Sequence, residues 1–160
     1  MSIHSYKMTF DGEMLKRGFW LYVWVVLFSG QQYIYVGRTG NSSSASAASP
    51  FNRLSQHLDF RKNAKGNTLA RRLREVGVDP KASNFRMIAL GPIFQEQESF
   101  KEHNQHRDQM ARLEYEIASY LTWRGYEVIG EHQKGSCVEQ SLLNEVRSKV
   151  VDFIRTNTPS

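Results

Sequence analysis

The sequence predicts a small α+β domain, in which a central three-stranded antiparallel sheet is flanked by helices and followed by an extra C-terminal helix. A ten-residue run at 19–28, rich in Val, Tyr and Trp, favours a buried strand. A second short apolar run follows after a tight turn, and later segments carry apolar residues at helical spacing. The chain has 160 residues, 40% of them hydrophobic, which is enough for the core of one globular domain.

Three strands are expected, at 21–27, 33–37 and 84–90. Ser29 and Gly30 lie in the tight connection that makes the first two strands a hairpin. A Gly-Pro pair closes the third strand, because proline cannot donate to a sheet ladder. A further short strand is expected at 126–129, after Gly125 stops the preceding helix.

Four helices are expected, at 50–63, 68–77, 107–124 and 138–154. Ser49 and Pro50 provide a cap and a first residue for the first helix. In the third helix, apolar residues recur at helical spacing from Met110 to Leu121. Loops are expected at 39–49 and 95–107, and a turn of helix near 12–16.

The whole chain, 1–160, is predicted to form one domain with an N-terminal arm at 1–18, a core at 19–130 and a C-terminal helical extension at 131–160. The single cysteine, Cys137, excludes an internal disulfide, a zinc ribbon and an iron–sulfur site. It is typical of a reducing compartment, so a cytoplasmic location is expected. No membrane association is expected, because a spanning helix needs about 20 apolar residues.

Positive charge is concentrated in one part of the chain. The formal net charge is +5, whereas the stretch 53–74 alone holds seven basic residues and one acid, Asp59, for +6. A basic cluster on short helices is typical of a surface that binds a phosphate backbone, and a solvated helical face is the alternative. The candidate DNA-binding residues are Arg61, Lys62, Lys65, Arg71, Arg72 and Arg74.

Residues of catalytic type fall on the predicted hairpin and helices. Tyr22 and Tyr35 lie in the first two strands, and a hairpin can bring them onto one side of the sheet. Arg53 and His57 are four residues apart, so they share one face of the first helix. Glu114 lies beside an apolar helical stripe, where a carboxylate needs a partner such as a cation.

Taken in chain order, these features resemble the GIY-YIG nucleases. The segment WLY at 20–22 is similar to a degenerate form of the first signature tripeptide, and YVG at 35–37 is similar to the second. The series continues with Arg53 and His57, a second small helix, a third strand and a helix that carries Glu114. Each motif alone is weak, and the ordered series is what carries the resemblance.

The resemblance implies a metal-dependent DNA endonuclease and a role for each matched residue. Tyr22 would orient or deprotonate the attacking water, and Tyr35 would be the second active-site tyrosine. Arg38 occupies a position after YVG that is often basic. Arg53 would contact the scissile phosphate, and His57 would assist Tyr22.

The resemblance also implies a divalent cofactor, Mg²⁺ or Mn²⁺, with Glu114 as its acidic protein ligand. Mg²⁺ is commonly held by one or two carboxylates together with water and substrate phosphates. The family often has an asparagine after this glutamate, whereas the sequence here reads GYEVIGEH. Asn144 could fill that role from the last helix, at a different spacing.

Several assignments have alternatives. Tyr33 could be the functional tyrosine of the hairpin. Glu116 competes with Glu114, and only one of the two can face the site because two residues along a helix point in different directions. Glu102, His103 and His106 could form a structural zinc site in the polar stretch.

Two functions from different classes stay open at this point, a metal-dependent endonuclease and a catalytically inactive nucleic-acid-binding module of the same fold. The retained catalytic-type residues favour the enzyme, and the missing asparagine favours the module. An enzyme of this layout resembles a stand-alone restriction enzyme or a nuclease of a phage or mobile element. Recognition would lie in the loops and termini. A homodimer could cut both strands, with the apolar face of the last helix as the dimer surface or as a cap on the core.

Overall fold

The protein contains a three-stranded antiparallel sheet, as the sequence predicts. In the computed structural model, which describes residues 1–156, the strands are β1 Phe19–Phe28, β2 Gln31–Arg38 and β3 Asn84–Phe94. Their order is β2-β1-β3, so β1 is the central strand. Residues 157–160, the end of the predicted C-terminal extension, lie outside the described residues.

The β1–β2 hairpin determines which side chains share a face. Its two-residue turn is Ser29-Gly30, and both residues have positive φ, at 49° and 78°. Such turns match the twist of the flanking strands. The register pairs Trp24 with Tyr35 and Tyr22 with Gly37. Because side chains alternate between faces, Tyr22 and Tyr35 lie on the same face of the sheet, as expected.

The described residues contain four α-helices: α1 Pro50–His57, α2 Thr68–Glu75, α3 Phe100–Trp123 and α4 Gln140–Arg155. The prediction that the first helix continues to 63 is wrong. It ends at His57, with Leu58 as its C-cap, and the Asp59 side chain then accepts a hydrogen bond at 3.1 Å from the backbone N–H of Arg61. An aspartate that binds the backbone two residues ahead favours a turn over a helix.

The third helix begins seven residues earlier than predicted. The Ser99 hydroxyl accepts from the Glu102 backbone N–H at 3.3 Å and donates to the Glu102 carboxylate at 2.8 Å. Serine followed three residues later by glutamate is a helix-start signal. The predicted loop at 95–107 is therefore mostly helix, and His103 is a fully buried helix residue.

The predicted strand at 126–129 is also wrong. This segment forms one isolated parallel bridge between Val128 and Ile34, through hydrogen bonds of 2.8 Å from Ile34 N to Glu127 O and from Ile129 N to Ile34 O. The segment covers the outer edge of β2 before the chain turns away. This position matters for the site, because the residues that follow reach the end of β2.

Two apolar clusters lie on opposite faces of the sheet. The larger one joins alternate residues of β1, from Phe19 to Val25, to the buried stripes of α3 and α4. The smaller one joins Tyr22, Trp24 and Tyr35 to α2 residues such as Leu69. Helices α1 and α2 thus lie on the face that carries both tyrosines.

The apolar face of α4 belongs to the core. Leu143, Val146, Val150 and Ile154 are each at most 5% exposed within the larger cluster. Of the two roles open for this face, the structure has it as a cap on the core. Within residues 1–156, no helix is both long and apolar enough to cross a membrane.

Candidate functional site

A cleft of about 230 Å³ opens where β2 ends and α1, α2 and α3 come together. It is lined by Tyr22, Tyr35, Arg38, Asn41, Arg53, Thr68, Glu114, Glu131 and Gln133. Five of the six residues that the sequence predicts as catalytic are in this lining. The sixth, His57, lies directly behind Tyr22.

Tyr22 and His57 form a buried hydrogen-bonded pair. The Tyr22 hydroxyl oxygen is 2.5 Å from His57 Nε2 and 3.3 Å from the carbonyl oxygen of Arg38. His57 Nδ1 is buried and has no partner among residues 1–156. A buried N–H without an acceptor is rarer than an unpaired lone pair, so we assign the proton to Nε2. His57 then donates to Tyr22, and the Tyr22 hydroxyl donates to the Arg38 carbonyl.

Gly37 leaves the space that the Tyr22 ring occupies. The two residues are cross-strand partners. A Cβ atom added at Gly37 would lie 2.7 Å from the Tyr22 hydroxyl oxygen and closer still to the ring. Real Cβ contacts are not that short, so any side chain at position 37 would displace the ring. The glycine of the YVG segment therefore has a steric role in the site.

Burial keeps the Tyr22, Tyr35 and His57 side chains neutral near pH 7. It raises the pKa of Tyr22 well above its usual range and the pKa of Tyr35 to about 12. Burial and, to a smaller extent, the positive charge of Arg53 lower the pKa of His57 to about 3. The same charge opposes the rise of the tyrosine pKa values. Tyr22 is therefore a neutral hydroxyl in the free protein, and His57 is a neutral imidazole.

Arg53 brings positive charge to the cleft without a carboxylate partner among residues 1–156. Its Nη1 donates to the side-chain oxygen of Gln56 at 2.5 Å, which fixes one edge of the guanidinium. Its Nε is buried and has no hydrogen-bond partner in the described part of the chain. A guanidinium with unused donors in a cleft is suited to an oxyanion, which can accept two parallel hydrogen bonds.

Glu114 is paired with Arg38 across the cleft. Arg38 Nη1 donates to Glu114 Oε2, and both side chains are at most 10% exposed. Burial raises the pKa of Glu114 to about 7, against the opposing effect of the Arg38 charge. Glu116 faces away and forms an ion pair of 2.5 Å with Arg112. Of the two glutamates, Glu114 is therefore the one in the cleft.

The cleft forms because the two sheet faces meet at the end of β2. Tyr22 and Tyr35 belong to the α2 face, whereas Arg38 is two residues beyond Val36 on the α3 face. There Arg38 reaches Glu114. Sequence reasoning places these residues on separate elements and does not predict the Arg38–Glu114 contact.

Four lining residues were missed by sequence analysis, namely Asn41, Thr68, Glu131 and Gln133. Gln133 Oε1 is 3.4 Å from Arg38 Nη2. His132 Nε2 lies 3.1 Å from the carbonyl oxygen of Val36, which ties this segment to β2. One sequence feature could have indicated that residues 131–133 reach the cleft. The apolar pair Val128 and Ile129 precedes them and binds the chain to the edge of β2. Nothing in the local sequence indicates that Asn41 or Thr68 lines the cleft.

The cleft lining offers side-chain oxygens, the kind of ligand that Mg²⁺ and Mn²⁺ prefer. The lining holds the carboxylates of Glu114 and Glu131 and the side-chain amides of Asn41 and Gln133. Within residues 1–156, no three His, Cys, Asp or Glu side chains are close enough together to hold a metal ion. A divalent ion at Glu114 would therefore have to take most of its ligands from water and phosphate.

The alternative sites of the sequence analysis do not reach the cleft. Asn144 is exposed on α4, where its side-chain oxygen accepts from Gln140 at 2.9 Å. Tyr33 packs in the smaller apolar cluster, nearer the hairpin turn. His103 lies against the ring of Phe19, and no metal cluster forms there among the described residues.

The six candidate DNA-binding residues divide into two groups of three. Arg61 pairs with Asp59 at 2.5 Å, Arg72 pairs with Glu75 at 2.9 Å, and Arg74 donates to the Phe60 carbonyl at 3.1 Å. A second group is exposed, and within residues 1–156 its side chains have no hydrogen-bond or ion-pair partner. It consists of Lys62, Lys65 and Arg71.

The basic stretch 53–74 borders the cleft. A Cβ atom added at Gly66 would lie 3.3 Å from Arg53 Nη1, so the loop that carries Lys65 touches the arginine end of the cleft. Thr68 at the start of α2 is part of the lining. The basic surface and the cleft are therefore continuous.

No protein-family model, curated protein or solved structure matches the chain.

Proposed function

We propose that the protein is a metal-dependent DNA endonuclease of the GIY-YIG type. The observation that carries the proposal is the convergence of Tyr22, Arg53 and Glu114, which are far apart in the sequence, on one cleft. Phosphodiester hydrolysis needs an oriented water, donors for the phosphate charge and a stabilised leaving oxygen. The lining supplies side chains of each required type.

Tyr22 orients the attacking water in this proposal. Its hydroxyl proton is engaged by the Arg38 carbonyl and one lone pair by His57, which leaves one lone pair, beside the Arg53 guanidinium, for a water to donate to. Its raised pKa argues against a phenolate in the free protein. The role is therefore orientation rather than deprotonation, and His57 holds the oxygen in position.

Arg53 binds the scissile phosphate in this proposal, since its side chain lines the cleft and no carboxylate neutralises it in the described part of the chain. Glu114 would hold the divalent ion, and the carboxylate of Glu131 lines the same cleft, where it lies 3.7 Å from Arg72 Nη2. When bound, such an ion lowers the pKa of a coordinated water and neutralises phosphate charge. The exposed cations Lys62, Lys65 and Arg71 would follow the flanking backbone.

A plasmid-nicking assay tests the proposal. Supercoiled DNA is incubated with the protein and Mg²⁺, Mn²⁺ or EDTA, and the Glu114→Ala variant serves as the matched control. We expect relaxed and linear products only with wild-type protein and a divalent ion. Equal nicking by wild type and Glu114→Ala would indicate a contaminating nuclease and contradict the proposal.

The second candidate is a nucleic-acid-binding module without cleavage. One observation favours it, namely that Glu114 is already neutralised by Arg38. Binding of labelled duplex in EDTA, combined with no nicking under any metal condition, would support this alternative.

A further inference from the structure

The contact between Arg38 and Glu114 sets a condition on the metal site of the proposed function, on which this inference rests. A divalent ion on Glu114 would meet the guanidinium of Arg38 at contact distance. Both side chains are largely removed from water, so the repulsion between the two cations is poorly screened. Arg38 and a divalent ion therefore compete for one carboxylate.

Arg38 has hydrogen-bonding capacity that its present partners do not use. A guanidinium carries five N–H donors. Among residues 1–156, Arg38 has one bond to Glu114, a long one of 3.4 Å to Gln133, and a buried Nε without a partner. The same side chain lines the cleft and can reach a group that enters it. A phosphate oxygen pair matches the guanidinium fork.

A phosphate that enters the cleft changes the balance of charges around Glu114. Without a divalent ion, the phosphate would stand beside a carboxylate of the same charge. With Arg38 moved onto the phosphate and a divalent ion on Glu114, each negative group has a positive partner. Arg53 needs no such exchange, because no carboxylate holds it in the described residues.

We propose that Arg38 is a displaceable counter-ion, which holds Glu114 in the free protein and moves to a DNA phosphate so that a divalent ion can bind Glu114. The metal site is then assembled by the substrate. By linkage, DNA and the metal ion strengthen each other's binding by the same factor, and such factors are typically about 5- to 150-fold.

The decisive measurement is metal affinity without DNA, because a phosphate that ligates the ion directly would also couple the two ligands. Mn²⁺ binding to the full chain is followed by electron paramagnetic resonance. We expect Arg38→Met to bind Mn²⁺ about tenfold more tightly than wild type, within the usual range of coupling. Arg112→Met is the matched control, since Arg112 lies on the same helix as Glu114 and pairs with Glu116 outside the cleft.

A second variant keeps the test valid if Arg38→Met folds poorly. Arg38→Gln retains a donor for the Glu114 carboxylate and removes the charge, so the same gain in Mn²⁺ affinity is expected. Far-ultraviolet circular dichroism verifies the fold of each variant. Loss of the fold in both variants would contradict the proposal, because a displaceable side chain is not required for folding.

The coupling is measured on the same proteins with a duplex whose linkages are all phosphorothioate, which keeps the charge and resists hydrolysis. Wild type should gain Mn²⁺ affinity when the duplex is added, and Arg38→Met should gain clearly less. Equal Mn²⁺ affinity of wild type, Arg38→Met and Arg112→Met without DNA would overturn the inference. If Arg38→Met and Arg112→Met bound Mn²⁺ more tightly than wild type by the same factor without DNA, the inference would also be overturned. The loss of one positive charge anywhere on the protein would then explain the gain in affinity.

The inference and the proposed function fail separately. If wild type nicks plasmid and the Arg38 variants bind Mn²⁺ no better, the nuclease proposal stands and the exchange does not. If no plasmid is nicked while Arg38→Met gains Mn²⁺ affinity, the exchange stands and the nuclease proposal fails. Absence of Mn²⁺ binding in every sample would overturn the inference.

Discussion

The Tyr22 hydroxyl oxygen and His57 Nε2 are 2.5 Å apart, although the two residues belong to a central strand and a neighbouring helix. Both side chains are at most 2% exposed, so the pair is held by packing as well as by the hydrogen bond. Within the pair, the Tyr22 hydroxyl oxygen is the atom that can accept a hydrogen bond from an incoming water.

Replacing Tyr22 by phenylalanine should lower the nicking rate by about 100-fold or more, the scale for removal of one preorganised polar group. The ring stays, whereas buried His57 Nε2 loses its acceptor, so the melting temperature should fall by several degrees without loss of the fold. Tyr33→Phe is the matched control, since Tyr33 lies on the same face but outside the cleft. If Tyr33→Phe nicked slowly and Tyr22→Phe nicked at the wild-type rate, Tyr33 and not Tyr22 would be the functional tyrosine.

Replacing Arg53 by alanine should also cost about 100-fold or more in rate. Arg53→Lys should recover only part of it, because an ammonium group cannot reproduce the two parallel bonds of a guanidinium. Single-turnover cleavage separates this effect from DNA binding. Arg112→Ala should cut normally, and full activity of Arg53→Lys would argue against a bidentate phosphate contact.

The pH dependence of kcat/KM should be governed by Glu114. Its pKa is raised to about 7, so the carboxyl group is protonated below that pH and becomes a charged ligand above it. The rate should therefore rise as the pH passes through about 7. The profile of kcat/KM reports groups of the free enzyme, which is the state described here.

His57 should not contribute to that profile, because its pKa is lowered to about 3 and it stays neutral across the working range. An exposed histidine, by contrast, would titrate near neutrality and add its own step to the profile. His57→Ala should lower the rate and leave the midpoint in place. A midpoint that moves with His57→Ala would contradict the burial argument.

Gly37→Ala should abolish cleavage through sterics alone. The new methyl group would overlap the Tyr22 ring and push its hydroxyl away from His57. Gly12→Ala is the matched control, since a Cβ atom there would have no neighbour within 4 Å. Near-ultraviolet circular dichroism follows the tyrosine environment. Normal cleavage by Gly37→Ala would mean that the position of Tyr22 is not critical.

Non-specific DNA affinity should come mainly from the three basic residues without intramolecular partners. Each phosphate contact contributes about −0.9 to the slope of log K against log salt on duplex DNA. Changing Lys62, Lys65 and Arg71 together to glutamine should therefore flatten the slope by nearly three units.

The control for this experiment is the triple change of Arg61, Arg72 and Arg74 to glutamine. These residues bind Asp59, Glu75 and the Phe60 carbonyl, so a smaller change in slope is expected. Fluorescence anisotropy over a salt series measures both. Loss of affinity for one sequence only would mean that the residues read bases, which backbone contacts do not do.

Much of the fold was predictable because local rules decide it. Side chains alternate between the two faces of a strand, and the Ser-Gly turn fixes the register of the hairpin. Together these rules place Tyr22 and Tyr35 on one face. The start of α3 was predictable from Ser99 and Glu102, yet the polar composition around them favoured a loop. In that case the capping signal is the stronger guide, because it satisfies backbone groups directly.

The composition of the cleft was less predictable, because it depends on contacts between distant segments. Arg38 and Glu114 are separated by 76 positions, and their pairing depends on how α3 packs on β2. Glu131 and Gln133 look like ordinary loop residues until the preceding segment docks on the edge of β2. A polar residue without a periodic pattern gives no sequence signal of where its side chain ends up.

The central strand places its alternate residues in two different packing environments. From Phe19 to Val25, the odd positions of β1 pack in the larger cluster under α3 and α4. The even positions that follow Trp20, among them Tyr22 and Trp24, belong to the cluster beneath the cleft. Evolution can therefore vary the chemistry of one face by changing every second residue, while the residues between them continue to hold the domain together.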